Sequence, residues 1–192
     1  MSWLEIGAAA FGVVSVWLST RENIWSWPTA IVNVGLYTVV FFQSRLYADM
    51  GLQVVYLSLS VYGWYEWLYG GEQRTELRVS RASWKLLALL LVMNLAAWVG
   101  LANLLDRHTD AVYPWLDSLL TTTSLAAQWM MTRKILENWL VWIAVDIAYV
   151  PMFLSRGLFP TAALYSIFLV LALIGYRDWK RSLARGRQPV NP

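Results

Sequence analysis

The sequence predicts an all-α integral membrane protein of seven transmembrane helices, arranged as two parallel three-helix repeats plus a connector helix. Three observations lead there. Apolar residues make up 58% of the chain and charged residues 14%, and the mean hydropathy is +0.47, more apolar surface than a water-soluble domain of this size could hide. Seven apolar stretches, each close to the roughly 20 residues that a helix needs to cross hydrocarbon, are separated by polar breaks. Segments of the first half also recur in the second at a spacing of 112 residues.

The spans fall at about 3–19, 25–42, 50–69, 84–104, 115–132, 138–155 and 159–176. The first has no basic stretch before it and contains Glu5, so it is expected to be a retained helix and not a cleaved signal. It ends at Thr20-Arg21-Glu22-Asn23. Pro28 suits the first turn of the second span, where a missing N–H costs nothing, with a broken helix there as the alternative. That span stops at Gln43-Ser44-Arg45. After the third, Gly70-Gly71-Glu72-Gln73-Arg74 opens the longest polar break, 70–83, which is the best internal boundary. The fourth span gives way to Asp106–Asp110, a polar loop in which His108 reads as a solvated side chain. Arg133-Lys134 ends the fifth, and Ser155-Arg156-Gly157 ends the sixth. The resulting division is 1–69 for the first repeat, 70–114 for the loop and connector, 115–179 for the second repeat and 180–192 for a basic tail.

Charge supports the odd helix count. Seven spans put twelve of the fifteen Lys and Arg residues on one side: Arg21, Arg74, Arg78, Arg81, Lys85, Arg133, Lys134, Arg177, Lys180, Arg181, Arg185 and Arg187. Only Arg45, Arg107 and Arg156 fall on the other. The positive-inside bias then places the C-terminus in the cytoplasm and the N-terminus outside. Trp3, Trp25, Trp67, Trp84, Trp115 and Trp179 lie near span ends and read as interface anchors, whereas Trp17, Trp27, Trp64, Trp98, Trp129, Trp139 and Trp142 do not. The basic residues form no single face, so the pI near 9.3 reflects topology and not a nucleic-acid partner.

In the repeat, Trp17-Leu18-Ser19-Thr20-Arg21 matches Trp129-Met130-Met131-Thr132-Arg133, and Gly63-Trp64-Tyr65-Glu66-Trp67 matches Gly175-Tyr176-Arg177-Asp178-Trp179. Between them Glu22-Asn23 recurs as Glu137-Asn138 after three extra residues, which pairs Trp27 with Trp142. Units of three helices joined by one connecting span have the same orientation, with the pathway between them.

The sixth span carries the clearest chemistry. Trp139, Trp142, Asp146 and Tyr149 follow spacings of 3, 4 and 3, one face of a helix. Asp146 falls near mid-bilayer, where an ionisable side chain costs at least ~2.5 kcal/mol and turns toward the bundle interior. A carboxylate and two indoles suit a flat cationic ligand; the structural alternative is helix packing with a hydrogen-bonded Asp146. In the fifth span Asp117, Thr121, Ser124 and Gln128 form a polar stripe, with Gln128 the best binding candidate and Asp117 close enough to the interface to be solvated. Asn33 and Tyr37 in span 2, and Gln53, Tyr56 and Ser60 in span 3, offer shorter stripes. Asn94 and Trp98 in the connector read as packing residues.

Several classes are excluded or unsupported. The chain has no cysteine and one histidine, so disulfide frameworks and zinc sites are out of reach. It carries no Walker loop, HExxH or Gly-x-Ser-x-Gly turn, and Asp146 has no evident acid–base partner. Nothing in the sequence calls for a cofactor or an enzyme.

Trp27-Pro28, Gln43-Ser44-Arg45-Leu46-Tyr47-Ala48-Asp49, Leu52-Gln53 and Tyr62-Gly63-Trp64-Tyr65-Glu66-Trp67 resemble the first half of the PnuC-type nicotinamide riboside transporters. Met131-Thr132-Arg133-Lys134 with Glu137-Asn138-Trp139-Leu140-Val141-Trp142 resembles that family's second half, including its Trp-x-x-Trp motif. The likeness spans nearly the whole chain. It implies a bacterial inner-membrane facilitator, built in a 3+1+3 arrangement similar to the SWEET sugar carriers, whose vitamin is trapped by cytoplasmic phosphorylation. Its implied partners are that small molecule and the lipid bilayer, with a homo-oligomer left open. Trp139 and Trp142 correspond to the paired tryptophans and Asp146 to the polar position one turn on. Some nicotinamide riboside members have Asn there, a departure that keeps thiamine as an alternative cargo; both are cationic aromatics, whereas neutral riboflavin suits an ionised Asp146 less well. A non-transporting membrane scaffold is the alternative from another class.

Overall fold

A computed structural model of the chain describes residues 3–43, 47–109, 114–155 and 157–186, with the backbone alone at 47–49. Arg45, Asp110, Arg156, Arg187 and the side chains of the Gln43–Asp49 motif beyond Gln43 lie outside the described residues. Among the described residues seven α-helices follow one another: α1 (Trp3–Thr20), α2 (Ser26–Gln43), α3 (Tyr47–Tyr69), α4 (Trp84–His108), α5 (Pro114–Thr132), α6 (Asn138–Ser155) and α7 (Phe159–Gly186). No strand occurs among the described residues. By length and composition α1, α4, α6 and α7 can each cross a membrane. The other three expected spans, α2, α3 and α5, carry polar stripes that lower their hydropathy, and those stripes, Asp117 apart, face the interior of the bundle.

Two boundaries differ from expectation. α4 continues to His108, one turn beyond the expected end, so His108 closes a helix and does not sit in a loop; it remains exposed. α7 runs to Gly186 and includes residues assigned above to a basic tail. A run of Arg and Lys can stay helical once it leaves the bilayer, because its cations suit a helix C-terminus.

The principal packing contacts make a closed ring: α1 on α2, α2 on α3, α3 on α5, α5 on α6, α6 on α7, and α7 back on α1. α4 packs on α5 outside this ring and presents Leu89, Leu91, Val92 and Met93 outward, as a helix bathed in lipid does. Its contact with α5 is pinned by Asn94 Nδ2 donating to Thr123 Oγ1 (3.0 Å) and Trp98 Nε1 donating to the Trp115 carbonyl (2.8 Å), the packing roles expected for Asn94 and Trp98.

Tryptophan fills one end of the ring. Trp27 meets Trp67 edge to face at 5.3 Å, Trp139 meets Trp179 at 5.4 Å, and Trp67 lies 5.9 Å from Trp179. Trp67 Nε1 donates to the Met131 carbonyl (3.1 Å), while Trp179 Nε1 donates to the Ser19 carbonyl (2.9 Å). Each pair of residues is matched by one 112 positions along. Trp67 and Trp179 are therefore not interface anchors: they are 2% and 0% exposed, because the indoles reach across the ring, from α3 to α5 and from α7 to α1, instead of toward headgroups. Trp3, Trp25, Trp84 and Trp115 are exposed, as anchors should be.

Glycine makes this packing feasible. A Cβ at Gly63 would lie 2.3 Å from the Trp27 ring, and one at Gly175 would lie 2.6 Å from the Trp139 ring. Ring and glycine thus pair as 27 with 63 and 139 with 175. The turns before α2 and α6 also match, since Glu22 (φ 54°) and Lys134 (φ 46°) both adopt the left-handed conformation. Geometry keeps a constant 112-residue spacing through these turns, so the partner of Trp27 is Trp139 and not Trp142, and the three-residue shift at Glu22-Asn23 has no structural counterpart.

The 70–83 break is a strap across the tryptophan end. After a short 3-10 turn, Glu72–Arg74, Ser80 forms a parallel bridge with the α5–α6 turn: its N–H donates to the Lys134 carbonyl (3.0 Å) and its carbonyl accepts from Leu136 (2.9 Å). Glu137 accepts from the Ala82 amide (2.9 Å) and pairs with Arg81 (2.8 Å). Burial pushes the Glu137 carboxyl up, but the Ala82 amide and the Arg81 guanidinium outweigh it and hold the group below its usual 4.5. A depressed carboxyl stabilises the fold above its unfolded value and loses that contribution as pH falls through its folded value. Glu137→Gln is expected to lower the thermal midpoint in detergent by a few degrees at pH 7, with the gap to wild type narrowing below about 4.5; a gap that is the same at pH 7 and at pH 3 contradicts this.

Candidate functional site

The ring encloses a cavity of about 970 Å³. It starts between the first turns of α1 and α7, the second turn of α3 and the last turns of α2 and α6, where Glu5, Pro160, Gln53, Phe41 and Phe153 line it. It ends on the tryptophan layer, at Ser19, Ser26, Trp27, Met131 and Trp139. Polar residues can sit along this wall because small neighbours let helices approach closely. Ser15 Oγ donates to the Ser26 carbonyl (2.8 Å) and ties α1 to α2. Asn33 Nδ2 donates to the Ala8 carbonyl (2.6 Å), beside Gly12, where a Cβ would come within 3.0 Å of that amide nitrogen.

All eleven expected site residues line this one cavity: Asn33, Tyr37, Gln53, Tyr56, Thr121, Ser124, Gln128, Trp139, Trp142, Asp146 and Tyr149. Helical spacing put the α6 members on one face, and the ring turned that face inward. Ser60 joins them, whereas Asp117, Asn94 and Trp98 are not in the wall. The members differ in what they can offer. Trp139 is 1% exposed and held edge-on by Trp179, so most of its ring is spent on packing; Trp142 is only half-buried and has ring surface to present. Ser124 Oγ and Ser60 Oγ donate to the carbonyls one turn back (Leu120 and Tyr56, 2.8 Å each), leaving their oxygen lone pairs available. The hydroxyls of Tyr56 and Tyr149 both approach Ser124, and Tyr149 also approaches Thr121.

Asp146 stands apart. It is 2% exposed, borders the cavity, and makes no hydrogen bond or ion pair with a described residue. A buried carboxylate without a partner is costly in a low dielectric. Such a group is either protonated or balanced by a cation from outside the described residues.

Sequence reasoning missed part of the wall. Ser26 and Trp27 form its floor, and Phe41, Phe153, Tyr165 and Phe168 form an aromatic collar near the mouth. Tyr149 stacks on Phe153 at 5.4 Å and Tyr37 on Phe41 at 5.8 Å; Tyr165 touches both Tyr149 (4.9 Å) and Phe153 (5.0 Å). The signal was present, since 37 and 149, and 41 and 153, are each 112 residues apart. An aromatic collar, hydroxyl and amide groups at mid-depth and one unpaired carboxylate can together hold a flat, polar, cationic molecule.

Comparison with known proteins agrees with this geometry. The sequence profile described as nicotinamide mononucleotide transporter matches residues 2–181. The nicotinamide riboside transporter PnuC of Escherichia coli K12 is 27% identical, over 95% of this chain and 87% of that protein. The riboflavin/roseoflavin transporter RibM of Streptomyces davaonensis is also 27% identical, over 98% of this chain and 89% of that protein. The crystal structure of the vitamin B3 transporter PnuC shares the fold, with a TM-score of 0.77 and 23% identity, covering 96% of this chain and 83% of that one. With its apolar helices the chain is a multi-pass membrane protein of a transporter family and not of an enzyme class. It belongs to the nicotinamide mononucleotide transporter family, that of the PnuC-type nicotinamide riboside transporters.

Proposed function

We propose that this chain is an inner-membrane facilitator for uptake of nicotinamide riboside. Its seven helices form two parallel three-helix units, α1–α3 and α5–α7, joined by the connector α4, with the N-terminus outside and the C-terminus in the cytoplasm. The recurrences at 112 residues and the bias of twelve cations to three support that arrangement. The observation that carries the substrate reading is Asp146, buried against the cavity without a partner among the described residues. The nicotinamide ring of the riboside has a permanent positive charge, which supplies the missing counter-ion. Its flat face suits Trp142 and Tyr149, and its ribose hydroxyls and carboxamide suit Gln128, Ser124, Thr121, Asn33, Tyr37, Gln53 and Tyr56. Movement is passive, and cytoplasmic phosphorylation keeps the product inside.

Calorimetric titration of the detergent-purified protein with nicotinamide riboside, thiamine and riboflavin tests the reading. Saturable binding of nicotinamide riboside, tighter than either rival, is the expected result; binding of none moves the protein to the scaffold reading. Thiamine shares the cationic aromatic ring and is the alternative on charge. Riboflavin is a second reading with its own support, because RibM is as similar to this chain as the Escherichia coli PnuC is and a cavity of about 970 Å³ accommodates a tricyclic ring. An uncharged ring leaves Asp146 without a counter-ion, so nicotinamide riboside is preferred.

A further inference from the structure

Apart from the approach of the Tyr56 hydroxyl to Ser124 at mid-depth, the described hydrogen bonds and ion pairs that join α1–α3 to α5–α7 cluster at the tryptophan end. Beyond the two indole bonds, Arg133 Nη1 lies 2.8 Å from Glu66 Oε2 and donates to Tyr62 Oη (3.0 Å), linking the α5–α6 turn to α3. Lys134 Nζ pairs with Glu22 at 3.3 Å and sits 4.5 Å over the Trp67 ring. The cavity stops on this layer and its wall runs out at the opposite ends of the helices. The tryptophan end is therefore the end that the described bonds hold together.

The shut end is asymmetric. The residues 112 positions from Arg133 and Glu66 are Arg21 and Asp178, yet these two do not pair: Arg21 lies over Trp17 at 5.8 Å, and Asp178 lies 4.0 Å from Arg177 and Arg181. The layer also holds buried polar atoms with no partner among the described residues, and they too come 112 apart: Ser26 Oγ with Asn138 Oδ1, and the indole nitrogens of Trp27 and Trp139. Such orphans raise the free energy of this state and would be relieved if the layer parted and admitted water. An end with unsatisfied groups that still stays closed needs something to hold it.

We propose that Glu66 and Arg133, with Tyr62, form a latch that gates substrate exit at the tryptophan end, and that the cavity seen here is the state open toward the N-terminal face. The proposal rests on the transport reading for its purpose, though not for its test. The chain has no cysteine, so one introduced at Val16, a half-buried cavity residue packed against the tryptophan layer, reports access unambiguously. Reconstituted vesicles of known orientation are treated on either face with a membrane-impermeant methanethiosulfonate. Val16→Cys is expected to react from the N-terminal face only. Adding Glu66→Gln should raise the rate from the other face about fivefold, the effect of removing a partly buried ion pair from a two-state equilibrium, and Tyr62→Phe should raise it less. Reversing the pair, Glu66→Arg with Arg133→Glu, should bring the rate back toward that of the parent, while Asp178→Asn should change nothing. Equal reactivity from both faces in the parent overturns the proposal, as does no rise with either Glu66→Gln or Tyr62→Phe, or an equal rise with Asp178→Asn. The labelling needs no vitamin, so this pattern without nicotinamide riboside binding would overturn the vitamin reading alone.

Discussion

Asp146→Asn is expected to weaken nicotinamide riboside binding by about 10- to 100-fold, the range for losing a charged contact in a desolvated site. The substitution keeps the size of the side chain and removes only the charge, so the cavity retains its shape. Stability of the empty protein should stay level or rise, because an unpaired buried carboxylate is replaced by a neutral amide. That combination separates a ligand counter-ion from a structural carboxylate, whose loss would lower stability and binding together. Titration calorimetry and the thermal midpoint, measured on one preparation, read both. Unchanged affinity would remove Asp146 from the site.

Gly63→Ala and Gly175→Ala should each destabilise the protein by ~1–3 kcal/mol or more, as overpacking does in a tight core. The new methyl groups would lie 2.3 Å and 2.6 Å from the rings of Trp27 and Trp139, and neither indole can yield. Trp27 is backed by Trp67 and Trp139 by Trp179, and those two are bonded across the ring to Met131 and Ser19. The two losses should not add simply, because both disturb the Trp67–Trp179 contact. Gly35→Ala is the control: nothing lies within 4 Å of a Cβ there, and alanine favours a helix interior by roughly 1 kcal/mol over glycine. Thermal unfolding in detergent should rank the three in that order, and a stable Gly175→Ala protein would contradict the packing described.

The helices were legible because each apolar stretch must satisfy its own backbone in lipid, which leaves few alternatives to a helix. Boundaries slipped where that constraint ends: α4 and α7 run on as helix through charged residues such as Asp106, Lys180 and Arg185 once hydropathy no longer marks the limit. The site was readable from α6, whose 3-4-3 spacing already put Trp142, Asp146 and Tyr149 on one face. It was not readable where function depends on which helices meet. Trp67 and Trp179 look like interface residues by position, and only the ring closure that brings α3 beside α5 and α7 beside α1 shows them to be core. Trp27, Phe41, Phe153 and Tyr165 are apolar or aromatic residues in apolar helices, so nothing local sets them apart from lipid-facing neighbours. A strict 112-residue register would have found most of them.

Uptake of labelled nicotinamide riboside into proteoliposomes, without ATP, an imposed ion gradient or a kinase, is the measurement closest to the central claim. Saturable entry that stops when inside and outside concentrations are equal, and that needs a higher substrate concentration with Asp146→Asn, is the expected result. Accumulation above the external concentration under an added proton or sodium gradient would contradict passive transport, and entry no faster than in empty liposomes would contradict the assignment of nicotinamide riboside itself.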